Sequence, residues 1–141
     1  MTDRPCVLFI CTHNAARSQM AEALLRHYAS DRFRACSAGF EPTDVHPLTR
    51  QVLAERGIDA GGLRAKPTRE FLGKAAVRHA IIVCEQQEEN CPHIFPFASK
   101  TLYWGFEDPT QTVSATELQL ARFRRVRDQI EARLLEWLRE A

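Results

Sequence analysis

No apolar stretch of this 141-residue chain approaches the length needed to cross a bilayer, and its first ten residues carry no signal-peptide pattern. A cytoplasmic protein with no membrane partner is expected. Charge of one sign is also missing. The 19 Lys and Arg stand against 18 Asp and Glu, so nothing global points to nucleic acid as a partner. There is no repeat, low-complexity tract or linker, and the length suits one domain over 1–141 with one core. A monomer is the default. An even set of cysteines is lacking too. Cys6, Cys11, Cys36, Cys84 and Cys91 are odd in number, which without a secretion signal argues against a disulfide framework. Free thiols, metal ligands or redox groups are expected instead.

What is present alternates strand and helix. Pro5 to Ile10 reads as a strand and Ala16 to Tyr28 as a helix, with Met20, Ala23, Leu24 and His27 or Tyr28 on one face. Phe33 to Ser37 is a short strand closed by Ala38-Gly39. Pro47 to Arg56 is a helix, with Pro47 suited to its first position and Gly57 to its stop. Thr68 to Val77 reads as a weaker helix. Ala80 to Val83 is a continuous apolar run that fits a buried parallel strand, and Thr101 to Trp104 is a fourth strand. Ser114 to Glu117 reads as a capping box, and Leu120, Phe123, Val126 or Arg127, Ile130, Leu134 and Trp137 follow at helical steps. The fold class expected is α/β, a small parallel four-stranded sheet with helices on both faces. In such sheets ligands sit at the carboxyl ends of the strands.

Residues 11–18 occupy that position. They read Cys-Thr-His-Asn-Ala-Ala-Arg-Ser, a C-x5-R-S loop between the first strand and the first helix. Taken alone the spacing is a weak pattern, equally a buried Cys and a surface Arg, but strand, loop and helix in this order are what anion chemistry requires. Backbone N–H groups and the helix dipole favour a tetrahedral dianion there. Arg17 adds a bidentate fork. The same positive field is expected to depress the thiol pKa of Cys11, making it a nucleophile toward phosphorus or arsenic.

Two further features lie at strand ends. Cys84 follows the apolar strand and is expected to open onto the mouth that holds Cys11. Cys91 stands seven residues on, where a helical turn or loop could bring it to Cys84. The alternatives are a buried Cys84 with a surface Cys91, or a zinc site of Cys84, Cys91 and His93, whose spacing is looser than metal sites normally show. The other feature is Trp104-Gly105-Phe106-Glu107-Asp108-Pro109. A carboxyl group on this loop, Asp108 before Glu107, could act as general acid toward a leaving oxygen; the alternative is an ordinary Asp-Pro turn.

These residues together resemble the thioredoxin-coupled arsenate reductases built on the low-molecular-weight tyrosine phosphatase fold. The likeness runs through residues 11–18, Ser37-Ala38-Gly39, the Cys84/Cys91 pair, Trp104 to Pro109 and the closing helix. It implies a three-thiol relay that needs no cofactor. Cys11 attacks arsenate held by Arg17 and the loop residues Thr12, His13, Asn14, Ala15, Ala16 and Ser18, and Asp108 protonates the departing hydroxyl. Cys84 then releases arsenite as a Cys11–Cys84 disulfide. Cys91 carries the oxidation to a Cys84–Cys91 disulfide near the surface, for thioredoxin to reduce. Asn14 matches a loop-shaping position suited to left-handed dihedrals, and Ser18 is placed to hydrogen-bond Cys11. Glu22 and Ser37 match positions that bind potassium in some relatives, but 63–72 offers no convincing further acidic ligand, and no metal is assigned. His13, where Gly is frequent, is read as pointing to solvent. Cys6 and Cys36 are read as core thiols, and His27, His46, His79 and His93 receive no role. The alternative is a phosphotyrosine phosphatase using Cys11, Arg17 and Asp108, against which Thr110 stands where such enzymes commonly carry an aromatic. A third reading is an oxyanion-sensing binding protein without turnover.

Overall fold

The structure is a computed structural model that describes residues 4–71, 76–85, 88, 91, 98–111 and 116–141. Strand β1 (Cys6–Cys11) is buried along its whole length, as a strand covered on both faces must be. Helix α1 (Arg17–Ala29) follows, then β2 (Arg34–Gly39), α2 (Pro47–Ala54), β3 (Val77–Ile82), β4 (Ala98–Tyr103) and α3 (Thr116–Glu140). The sheet has the order β2-β1-β3-β4, and its pairings are parallel. This is the four-stranded parallel α/β class that the alternating pattern predicts.

Helix α1 packs on β1 and β2 and against α3, which also packs on α2. Phe123, Val126, Ile130, Leu134 and Trp137 give α3 its buried stripe, as the spacing predicts. Arg127 joins that stripe as a buried, paired cation: Nη1 donates to the Val52 carbonyl and to Glu55, both at 2.9 Å. The expected capping box at Ser114 to Glu117 begins outside the described residues. Among those residues no helix is long and apolar enough to cross a membrane.

One element differs from expectation. The helix expected over Thr68 to Val77 is not seen in its described residues, 68–71 and 76–77. Thr68–Phe71 is a single 3-10 turn with no buried residue, and Val77 already opens β3, paired with Cys6 and Ala98. The adjacent strands β1 and β4 claim Val77. Cys6 and Cys36 also differ in part. Their sulfurs lie 3.8 Å apart, and Cys36 is only half-buried. The Cys36 thiol and the Arg34 guanidinium pull the Cys6 pKa down to about 6 against the effect of burial, while the Cys36 thiol is pushed up.

Candidate active site

The carboxyl end of β1 delivers Cys11 to the base of a short loop, four of whose carbonyls turn outward. Those of Cys11, Thr12 and His13 accept the N–H groups of Phe40, Glu41 and Thr43 at 3.2, 2.8 and 3.0 Å. That of Ala15 accepts from the His46 N–H at 3.0 Å and the Thr49 hydroxyl at 2.8 Å. A planar trans peptide points its N–H opposite to its C=O. The N–H groups of Thr12, His13, Asn14 and Ala16 therefore face inward, and that of Asn14 donates to Cys11 Sγ at 3.2 Å. Inward-facing N–H groups make an anion-binding concavity. The first turn of α1 adds to it, because its Ala16 cap has no side-chain hydrogen bond and the turn has no acidic residue.

Asn14 holds the loop in shape. It has a φ of 54°, in the left-handed region that Asn tolerates better than most residues. Its side-chain amide donates to Ser18 Oγ (2.7 Å) and Ser37 Oγ (3.0 Å) and accepts from Gln19 Nε2 (3.0 Å) and the Lys66 N–H (2.9 Å). Ser18 Oγ lies 2.8 Å from Cys11 Sγ. Since Ser18 accepts from Asn14, its own hydrogen is free to point at the sulfur. Behind it, Ser37 donates to Glu22 at 2.6 Å, and Lys66 Nζ lies 3.5 Å from the same carboxylate oxygen. Glu22 and Lys66 are both buried. Where the sequence suggested an incomplete cation site, the protein supplies its own ammonium. Gly39 closes the wall. A Cβ there would fall 2.8 Å from the Asn14 nitrogen and 2.9 Å from the His13 carbonyl carbon.

Arg17 is only 3% exposed and sits between two carboxylates. Nη1 and Nη2 donate to Glu88 at 2.5 and 3.1 Å, and Nη2 lies 3.6 Å from Asp108 Oδ2. Nη1 also donates to the Phe106 carbonyl at 3.0 Å. Burial pushes the Asp108 pKa up. The guanidinium and the Thr110 hydroxyl and N–H (2.7 and 2.9 Å) outweigh it, so Asp108 is held below the usual carboxylate range. Burial alone would lower the Arg17 pKa, but Glu88, Cys11 and Asp108 raise it above the ordinary value. Cys11, Ala16, Arg17 and Asp108 line the inner recess; Thr12, His13, Glu88 and Asp108 line its mouth.

The second sulfur follows the neighbouring strand β3 by two residues. Ile10 is level with Ile82, and Val83 donates to the Ile10 carbonyl at 2.9 Å, which sets Cys84 just past the level of Cys11. Cys84 is bonded to Cys91, with the Cα atoms 6.0 Å apart. The surface position expected for this disulfide is corrected: Cys84 is 1% and Cys91 5% exposed. Cys84 is enclosed just beyond the central strand β3, beside Gly105, whose Cβ position lies 3.9 Å from the Cys84 carbonyl.

The sequence-derived residues Cys11 to Ser18 and Asp108 thus converge on one recess, while the buried Cys84 stands one residue past the level of Cys11 on the adjoining segment. Glu107 turns away to Arg125 at 2.7 Å, and His13 is exposed, with Nδ1 3.0 Å from the Glu41 carbonyl. The expected zinc alternative includes His93, which lies outside the described residues. Sequence reasoning missed Lys66 and Glu88, whose contacts span 44 and 71 positions, and His46, whose Nδ1 caps α2 by accepting the Leu48 N–H at 3.0 Å.

The chain is matched over residues 6–141 by the family described as low molecular weight phosphotyrosine protein phosphatase. It is 33% identical over 134 residues to an arsenate reductase of Bacillus subtilis (strain 168), covering 93% of each chain. A solved arsenate reductase in the phosphate binding state superposes with a TM-score of 0.80 at 28% identity, over 96% of this chain and 98% of the other. The thioredoxin-dependent arsenate reductase of Corynebacterium glutamicum superposes at 0.70 and 28% identity, over 99% of this chain and 62% of the other.

Proposed function

The chain belongs to the low molecular weight phosphotyrosine protein phosphatase family, and from that premise we propose that it reduces arsenate to arsenite with three of its own cysteines. The observation that carries this reading is Cys84, two residues past the end of β3 and one past the level of Cys11 on the neighbouring β1, bonded to Cys91. A phosphatase needs neither sulfur.

Arsenate enters the concavity of inward N–H groups and takes the Arg17 fork. Ser18 and the Asn14 N–H stabilise the Cys11 thiolate, which attacks arsenic as a hydroxyl departs with a proton from Asp108. In the empty site Arg17 keeps Asp108 ionised. An incoming dianion reverses the local charge balance and favours the protonated acid the step requires. Cys84 then attacks Cys11 Sγ, and the sulfur–arsenic electron pair passes to arsenic, reducing As(V) to As(III). Cys91 attacks Cys84 and frees Cys11, leaving the Cys84–Cys91 disulfide. Two electrons from a dithiol reductant reopen it. Thioredoxin fits that role, as the name of the Corynebacterium relative suggests.

The test supplies arsenate, thioredoxin, thioredoxin reductase and NADPH to the wild type and to Cys84→Ser and Cys91→Ser. Arsenate-dependent NADPH loss is expected in the wild type and in neither variant. Full activity in both variants sinks the relay, and aryl-phosphate hydrolysis indifferent to both substitutions, without arsenate turnover, makes the chain a phosphatase. Phosphate binding with no turnover of either kind leaves an oxyanion-binding protein.

A further inference from the structure

Arg17 should present its fork to an oxyanion, yet a carboxylate from the chain itself engages it. Glu88 meets the guanidinium edge with both oxygens, at 2.5 and 3.1 Å. That edge matches carboxylate and tetrahedral oxyanions alike. It cannot serve both at once. A dianion beside Glu88 and Asp108 would gather three acidic groups around one guanidinium in a recess where that cation is 3% exposed, and like charges at such distances repel strongly.

The position of Glu88 follows from the disulfide. Glu88 lies inside the eight-residue span that the Cys84–Cys91 bond closes. Within that span the Glu88 N–H donates to the Glu85 carbonyl (3.0 Å), the Cys91 N–H donates to the Glu88 carbonyl (3.3 Å), and the Glu85 N–H donates to Glu88 Oε1 (3.3 Å). The cross-link and these bonds aim the carboxylate into the mouth of the recess. Its side chain is 21% exposed, so it enters from the solvent side, where a free anion must also enter.

We propose that Glu88 is a redox-coupled competitor for the oxyanion: closing the Cys84–Cys91 bond seats its carboxylate on Arg17, and reduction withdraws it and returns the fork to substrate. Arsenite leaves as a neutral acid and needs no displacement. The competitor's task is to keep arsenate and phosphate out of a site whose relay is already spent. The inference rests on the oxyanion reading of the loop, though not on turnover.

Inorganic phosphate is the probe, titrated calorimetrically into the full chain, once in the disulfide form and once after reduction with dithiothreitol. The wild type is expected to bind phosphate about tenfold or more weakly when oxidised, the scale of one charge-assisted pair. In Glu88→Gln the two forms should agree to within about twofold, because the amide keeps the shape and drops the charge. Glu88→Asp, which keeps the charge on a shorter arm, should retain part of the difference. Equal affinity of the two wild-type forms overturns the proposal, as does a redox difference that survives intact in Glu88→Gln. Absence of phosphate binding to either form overturns it together with the oxyanion reading. Redox-dependent phosphate binding without arsenate turnover would leave the competitor standing and refute only the reductase.

Discussion

Asn14 shows how much of a catalytic geometry one amide can hold. Its two donors and its oxygen's two lone pairs are all used, within a loop where no water is needed to complete them. Gly39 is its counterpart across the wall. Gly39→Ala forces a methyl group to within 2.9 Å of the His13–Asn14 peptide, so overpacking is expected to cost about 1–3 kcal/mol. It should also pull the loop off its oxyanion geometry. Urea unfolding and arsenate turnover measured together would check this; an unaltered midpoint with full activity would mean the wall yields freely. Asn14, Arg17 and Ser18 are legible in sequence because they share one short loop. Lys66 and Glu88 are not, since their partners lie on other elements and only the folded chain brings them within reach. Ser37-Ala38-Gly39 is legible as a pattern, but its reason, the close approach of β2 to the loop, is a distance and leaves no composition signal.

The two early helices contrast in their first turns. Helix α1 starts with no side-chain cap, which leaves its N–H groups to the recess. Helix α2 is capped by His46, whose Nδ1 accepts a hydrogen bond, so the ring must be neutral there. Burial lowers the His46 pKa from 6.5, opposed by the charge of Asp108. His79 is lowered as well, by burial and by Lys100 and Arg78. With the folded pKa below the unfolded one, the unfolded chain binds more protons in this window, and stability falls as pH drops below about 6.5. Urea stability is therefore expected to decline from pH 7 to pH 5. His46→Asn, an N-cap that does not titrate, should flatten part of that slope, with the His79 share remaining. If the slope is the same in His46→Asn, the cap contributes nothing to it. Helix boundaries were readable to within a few residues wherever a stop signal stood, as at Gly57, whose φ is 69°. The segment 68–77 misled because its fate depends on which neighbour claims Val77, a tertiary matter that local periodicity does not record.

At the scale of the molecule, the sheet order puts β1 between β2 and β3. Phe9, fully buried on that strand and 6.2 Å from the Trp104 ring, belongs to the part of the core on which β2, β3 and α1 pack. Phe9→Ala is expected to cost about 3–5 kcal/mol, a large share of what a domain of this size has to lose. Denaturant titration reads it directly, and a loss under about 1 kcal/mol would place the core elsewhere. The parallel class was legible because β1 and the 80–83 run are apolar without alternation. The strand order was not, since nothing local ranks β1 ahead of β4 as the centre.

The pairing of β3 with β1 then bears on chemistry as well as on packing. A slip of one residue would preserve nearly every rung of the ladder, yet it would turn the chain that leads into Cys84 toward the opposite face. Electron transfer between sulfurs would stop, and the buried Ala80, Ile81 and Ile82 would exchange faces of the sheet as well. In that sense the alignment of two strands works as a switchyard: the track survives the error, but the train no longer reaches the platform.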